Sequence, residues 1–367
     1  MTERELQSYL AAIRPADKAA MDAARRRQAE LAKPPGSLGR LEELSIRLSG
    51  VTGRVCPSMD RCRVAVFAAD NGVVAEGVSC TPPSVTLQQA VNMTRRKTGM
   101  SAMAAAFGDD VAVVDVGIDG DVPAVGILDR KVRRGTGNIA REDAMTRQQV
   151  LDAMAAGMEQ AADARRGGVT ALGIGEMGIG NTTTSAAVLA ALTGADIEAV
   201  TGRGGGLTDE GFRRKKAVLR QALALHRPDG NDVIGVLAGV GGLDLAAMTG
   251  AYLGCAHERV PAVADGFISI TAALCAVRLC PAARDVLFLS HDSYEVGYRI
   301  AAEELGLQPC LRLEMRLGEG SGCPLLFRVL EGACGVMRGM ATFAEAAIQD
   351  DYLDEIRAVD AFTVEGA

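Results

Sequence analysis

Short apolar runs alternate with alanine-rich stretches along most of this chain, and that alternation restricts the fold more than any other feature. The runs are Arg63–Ala69, Asp110–Val116, Gly168–Leu172, Asp232–Ala238, Arg259–Ala264 and Asp285–Leu289. Most are followed by glycine or a small polar residue and then by helical spacing, as in Thr182–Leu192, Leu243–Leu253 and Ser269–Leu279. A continuous apolar run bounded by turn residues reads as a strand buried on both faces. Regular alternation with helices reads as βαβ units, which build a parallel sheet covered on both sides. The expected class is α/β. In such sheets ligands bind beyond the carboxyl ends of the strands, so the segments after the runs are the ones to read for chemistry.

The two ends of the chain differ from this middle. Residues 3–32 are rich in Ala, Arg and Glu at helical spacing, and Lys33-Pro34-Pro35-Gly36 breaks them. Ser37 is placed to cap a second helix running through Leu48. After Pro324 the pattern predicts helix from Leu325 to about Ile348 and again from Tyr352 to Val359. The expected organisation is a small helical domain from residues 1–55 and 331–367, beside a large α/β domain from 56–330 that carries the site.

Several classes of function are excluded. A formal charge of −7 gives no basic face for nucleic-acid phosphates. The longest apolar stretch, Phe267 to Val277, is too short to span a bilayer. Residues 1–10 show no signal-peptide pattern, and nine cysteines, an odd number, read as reduced thiols of a cytoplasmic protein. No Cys/His spacing suits zinc, so no metal is expected.

Glycine contributes 43 of 367 residues, concentrated in bursts rather than in a repeat. The densest burst, Gly173-Ile174-Gly175-Glu176-Met177-Gly178-Ile179-Gly180-Asn181-Thr182-Thr183, contains a literal G-x-G-x-x-G with Asp196 further on. A dinucleotide site needs a second strand ending at that aspartate, but Ala186–Thr193 reads as helix and leaves no room for it. A phosphate or ribose cradle fits better, because glycine lets backbone N–H groups approach an anion at the start of a helix. A tight capped turn is the plainer alternative. The second burst, Gly202-Arg203-Gly204-Gly205-Gly206, sets one cation in a flexible loop, either against a phosphate or in solvent. The third, Gly318-Glu319-Gly320-Ser321-Gly322, follows an amphipathic strand and presents one carboxylate, either a general base or an exposed loop residue.

Nine ordered segments over some 290 residues resemble one family. They include KPPGSLGRLEEL (Lys33–Leu44), FAADNGVVAEGVS (Phe67–Ser79), GTGNIAREDAMT (Gly135–Thr146) and the three glycine bursts. VGGLDLAAMTGA (Val240–Ala251), ADGFIS (Ala264–Ser269) and SHDSYEVG (Ser290–Gly297) complete the set. Together they resemble the nicotinate-nucleotide–dimethylbenzimidazole phosphoribosyltransferases. The resemblance implies a Rossmann-like sheet with a small helical domain, in a homodimer. It implies transfer of phosphoribosyl from nicotinate mononucleotide to 5,6-dimethylbenzimidazole with inversion, without cofactor or metal, in cobalamin nucleotide-loop assembly.

Carried over by motif, the resemblance makes Glu319 the base and Glu176 a second active-site carboxylate. It lays the phosphate on Gly175, Gly178, Gly180, Asn181, Thr182 and Thr183, with Gly202, Arg203, Gly204, Lys215 and Ser290 nearby. It lines the acceptor pocket with Ser79, Thr81, Pro82, Gln88, Met177 and Leu317. His291 reads as a structural loop residue. Two positions depart from the family pattern: Asn71 stands where histidine is usual, and Thr81 where tyrosine is usual. Loss of that aromatic wall weakens stacking on a benzimidazole, so a phenolic or purine acceptor is the alternative. A non-catalytic paralogue working with a partner subunit is the other.

Overall fold

The structure, a computed structural model, describes residues 1–123 and 126–355. Three helices open the chain: α1 (Glu3–Ala12), α2 (Lys18–Glu30) and α3 (Arg40–Thr52). Strand β1 (Cys62–Ala69) follows, then α4 (Val85–Thr94), α5 (Gly99–Phe107), β2 (Asp110–Gly117) and β3 (Ile127–Asp129). Next come α6 (Arg147–Arg166), β4 (Ala171–Met177), α7 (Asn181–Thr193), α8 (Ile197–Val200), α9 (Asp209–His226), α10 (Val233–Val240) and α11 (Leu243–Glu258). The chain continues through β5 (Ala262–Ala264), α12 (Phe267–Leu279), β6 (Leu287–Leu289), α13 (Gly297–Leu305) and α14 (Cys323–Gly339).

The strands form one sheet in the order β3-β2-β1-β4-β5-β6, with every pairing parallel. The order reverses at β1, so β1 and β4 flank the switch point where open α/β sheets bind ligands. Ala68 pairs with Met177, which brings the carboxyl ends of these two strands level. Both strands are buried almost throughout, as their mainly apolar sequence requires. On one face α11 lies against α6 at backbone distance. A Cβ on Gly157 would collide with the Ala247 carbonyl oxygen, which accounts for glycines inside these helices.

The helical ends pack differently from each other. Ala24, Leu31, Ile46 and Met337 make a second, small core joining α2, α3 and the end of α14. Helix α1 instead buries Leu6 and Leu10 in the main core, and Tyr9 stacks on His257 of α11 at 4.3 Å.

Several expectations are corrected. Asp232–Ala238 is not a strand: Asp232 caps Gly235 N–H at 3.0 Å and starts α10, a helix apolar on all sides because it is buried on all sides. Ser37 caps nothing. Helix α3 starts after Gly39, while Glu42 reaches back to Leu38 N–H (3.0 Å) and to the Lys33 ammonium (2.6 Å) in a buried ion pair. The helix after Pro324 ends at Gly339, well short of Ile348. Beyond it Ala32 N–H donates to Ala341 O and Phe343 N–H to Glu30 O, so α2's end competes successfully for that backbone. Asp351–Leu353 forms one 3₁₀ turn, and the rest of the helix expected through Val359 falls largely outside the described residues. No strand precedes Gly318; the chain there makes a single parallel bridge, Leu311 to His291. The short edge strand β3 was not expected, and the run expected at Gly168–Leu172 forms its strand at Ala171–Met177, inside the first glycine burst.

Candidate active site

A cavity of about 270 Å³ opens at the carboxyl ends of β4, β5 and β6, and both motif glutamates line it. Their placement follows from two close approaches. Gly318, Glu319 and Gly320 all have left-handed backbone, with φ of +82°, +65° and +84°. For glutamate that conformation is costly, and it is held by surrounding bonds. The Glu319 N–H donates to Glu176 Oε1 at 3.2 Å. Asp265, at the end of β5, accepts Gly320 N–H at 3.1 Å and Gly322 N–H at 2.6 Å. Gly318 lacks the Cβ that would collide with Glu176 Oε1, and Gly175 lacks the one that would lie 2.6 Å from the Glu319 carbonyl.

The Glu319 carboxylate is buried beneath the first turn of α5, where Oε2 accepts Met100 N–H at 3.1 Å. Burial raises its pKa above the ordinary carboxylate value, and the Met100 amide and Thr98 hydroxyl pull it back. A carboxylate so placed is a stronger base than one in solvent.

Glu176 belongs to a second buried group. Asn181 Nδ2 donates both to Glu176 Oε2 (2.5 Å) and to Asp244 Oδ2 (3.0 Å), so one amide separates two carboxyls inside the protein. Burial pushes Glu176 to about 8 and Asp244 to about 6, each raised further by its neighbours' negative charge. Glu176 is therefore the neutral partner at pH 7. The Asn181 side chain expected on the phosphate is committed to this pair instead.

The glycine turn forms the second wall. Gly178, Gly180 and Thr182 line the cavity where α7 begins. Gly180 (φ +93°) occupies the cap position without any side-chain bond to the helix; Asn181 and Thr183 N–H donate to Gly178 O (3.2 Å) and Gly180 O (2.9 Å), and the Thr182 N–H between them is left for an anion. Asp196 caps α8 by accepting Glu198 N–H at 2.8 Å, so it ends no strand.

Other residues expected on the phosphate take different places. Gly175 seats Glu319, and the Thr183 hydroxyl is fully buried away from the cavity. Arg203 lines the rim, but its guanidinium binds Asp209 (2.5 Å) and the Leu207 carbonyl (2.9 Å) and lies over Phe212. Ser290 lies beneath the floor, with Oγ 3.0 Å from His291 Nδ1. His291 is buried, as a structural residue would be, yet it reaches the cavity wall. Lys215 is buried behind the second burst, donating to Thr182 Oγ1 (2.8 Å) and Gly202 O (3.2 Å). Desolvation lowers its pKa to about 8. Gly204 lines the cavity, and Gly202 stands just behind it.

At the other end, Ser79, Thr81, Met177 and Leu317 line the cavity as expected. Pro82 does not. Gln88 faces a separate cavity with Asp70 and Arg134, and the residues of α4 that reach the first cavity are Val85 and, one turn on, Gln89. Helix phase decides this: positions i and i+4 share a face. Asn71 is buried under the glycine turn, its Oδ1 3.4 Å from Thr184 Oγ1, and it does not border the acceptor end.

Reasoning from sequence missed Asp244, Asp265, Gln89, Glu295 and the Thr98–Met100 seat. Asp244 and Asp265 lie inside quoted motifs, and a lone aspartate in an apolar segment was the available signal. Helical phase was the signal for Gln89. The seat at α5 had none, since Met100 is 219 positions from Glu319 in the chain.

Residues 13–348 match the model of a family described as phosphoribosyltransferase. The chain is 44% identical over 359 residues to nicotinate-nucleotide–dimethylbenzimidazole phosphoribosyltransferase of Clostridium perfringens, covering 98% of this chain and 99% of that one. It is 47% identical over 332 residues to the enzyme of the same name from Acetivibrio thermocellus, covering 90% and 95%. A crystal structure of the Thermus thermophilus enzyme of that name superposes with a TM-score of 0.86 at 44% identity, covering 91% of this chain and 99% of that one.

Proposed function

The chain belongs to the nicotinate-nucleotide–dimethylbenzimidazole phosphoribosyltransferase family, and on that premise we propose that it transfers the 5-phosphoribosyl group of nicotinate mononucleotide to 5,6-dimethylbenzimidazole. The products are nicotinate and α-ribazole 5′-phosphate, the latter used to assemble the cobalamin nucleotide loop.

The nucleotide's phosphate lies on the Thr182 N–H at the start of α7 and on Gly204, with the Thr182 hydroxyl and the Lys215 charge behind them. Its ribose lies over Glu176, and its C1′ faces the acceptor end. The acceptor sits among Ser79, Thr81, Gln89, Met177 and Leu317. One benzimidazole nitrogen attacks C1′ as the C1′–N bond to the pyridinium breaks, and that electron pair leaves with nicotinate as a neutral ring nitrogen. Glu319 takes the proton from the other benzimidazole nitrogen. A single displacement inverts C1′, turning a β- into an α-riboside. Neutral Glu176 adds no negative charge beside Glu319 and holds its loop through the Glu319 N–H.

The observation that carries this reading is the meeting of Glu319 and the α7 N-terminus in one cavity, at a distance set by β4 and β5. The purified chain, given both substrates and no partner protein, is expected to release nicotinate and form the α-riboside. Nicotinate release only on adding another subunit favours a non-catalytic paralogue. Thr81 in place of an aromatic wall favours a wider acceptor range, so adenine and p-cresol belong in the same competition, with dimethylbenzimidazole expected to win. The family resemblance supports a homodimer in the cytoplasm, which sedimentation and cell fractionation test. No helix among the described residues is long and apolar enough to cross a membrane.

A further inference from the structure

Lys215 holds the Gly202–Gly204 strip from one side, and Glu295 rests on it from the other. A Cβ on Gly202 would collide with Glu295 Oε2, so the carboxylate lies directly on that backbone. Its Oε2 is shut off from solvent and has no hydrogen-bond partner among the described residues. Burial raises the Glu295 pKa, while Lys215, the Gly204 amide and Arg316 favour its charged form. Thr182, Gly204, Glu295 and Arg316 all line the cavity. A carboxylate among glycine amides and a buried lysine is an anion in an anion's seat.

We propose that Glu295 is a built-in occupant of the phosphate end, which fills the Gly202–Gly204 seat in the unliganded chain and must be displaced by the incoming phosphate. The proposal rests on the reading that the substrate phosphate binds there. Displacement costs the same for any phosphate and weakens both ligands by the same factor, but the nucleotide keeps ribose and pyridine contacts that hold it at concentrations where free orthophosphate, lacking them, is excluded. Glu295 thus keeps orthophosphate from occupying the site. The backbone on either side is held, with Tyr294 N–H on Met315 O (3.1 Å) and Tyr298 N–H on Glu295 O (3.0 Å), so it is the Glu295 side chain that must turn away.

The test measures orthophosphate as a competitive inhibitor against nicotinate mononucleotide, and its direct binding by calorimetry, in wild type and Glu295→Gln. Removing a like charge is expected to lower the orthophosphate inhibition constant at least about tenfold, and the nucleotide KM by a similar factor. Glu295→Asp, whose carboxylate falls short of Gly202, should shift both in the same direction by less, and it serves if the glutamine variant does not fold. An unchanged or raised inhibition constant overturns the proposal. So does a raised nucleotide KM alone, which would make Glu295 a ribose ligand. Absence of orthophosphate binding in every protein also overturns it, whereas nicotinate release by wild type would leave the proposed transfer standing.

Discussion

The backbone N–H of Glu319 is bonded to the side chain of Glu176 at 3.2 Å, so the proposed base is positioned by a second buried carboxyl. The arrangement works because the two have different surroundings. Glu319 reaches the cavity and the amide of Met100, while Glu176 is enclosed with Asp244 and is driven to about 8. Two carboxyls with separated pKa values can take different roles at one pH.

Glu176 therefore leaves a signature in stability. Its folded pKa, about 8, lies above the ordinary carboxylate value of 4.5. The unfolded chain ionises first as pH rises, so the folded state is progressively destabilised between those values. Stability from this group is full below pH 4.5 and lost by about pH 8. Glu176→Gln removes the effect: its melting temperature relative to wild type should climb from about pH 5 to about pH 8 and then level off. A constant difference across that range would mean Glu176 is ionised in the fold.

Gly175 offers a separate test of how the base is seated. Alanine there places Cβ 2.6 Å from the Glu319 carbonyl and must displace the loop. Displacement of a reacting group by about 1 Å costs on the order of a hundredfold in rate. Gly175→Ala should lower kcat by that order while leaving the KM for nicotinate mononucleotide within about threefold. The opposite split would return Gly175 to the phosphate.

At the acceptor end the two glutamines separate cleanly. Gln89 accepts Asn92 Nδ2 at 3.1 Å through its oxygen, which leaves its amide N–H groups for the cavity. Loss of one such hydrogen bond is worth about 1 kcal/mol. Gln89→Ala should raise the KM for dimethylbenzimidazole about fivefold, and Gln88→Ala should leave it unchanged. Steady-state kinetics at saturating nucleotide distinguish them.

The pattern of particular residues explains what was legible beforehand. Strands β1 and β2 and helices α7, α11 and α12 follow from local periodicity, and Glu319 and Glu176 from motifs. Asp232–Ala238 misled because a short run apolar on every side suits a buried helix as well as a buried strand. A motif assigns a whole segment to one ligand, whereas strand alternation in β4 sets the direction of Gly175 and helical phase in α7 that of Thr183. The seat of Glu319 on Met100 was invisible, since only the folded sheet joins positions so far apart. Motif alone places Lys215 near the phosphate, and its burial behind Gly202 follows only from the packing of α9.

The role of Glu319 is tested most directly by Glu319→Gln, which keeps the side chain's size and its acceptor oxygen for Met100 N–H while removing the base. Nicotinate release is measured under saturating dimethylbenzimidazole, alongside the dissociation constant for nicotinate mononucleotide. The expected result is a dissociation constant within about threefold of wild type and turnover lowered by about a hundredfold or more. In wild type, the acid limb of the rate profile should fall at a pH above the ordinary carboxylate pKa of 4.5, in keeping with the burial of Glu319. Near-normal turnover in the glutamine variant would contradict the assignment of the base outright.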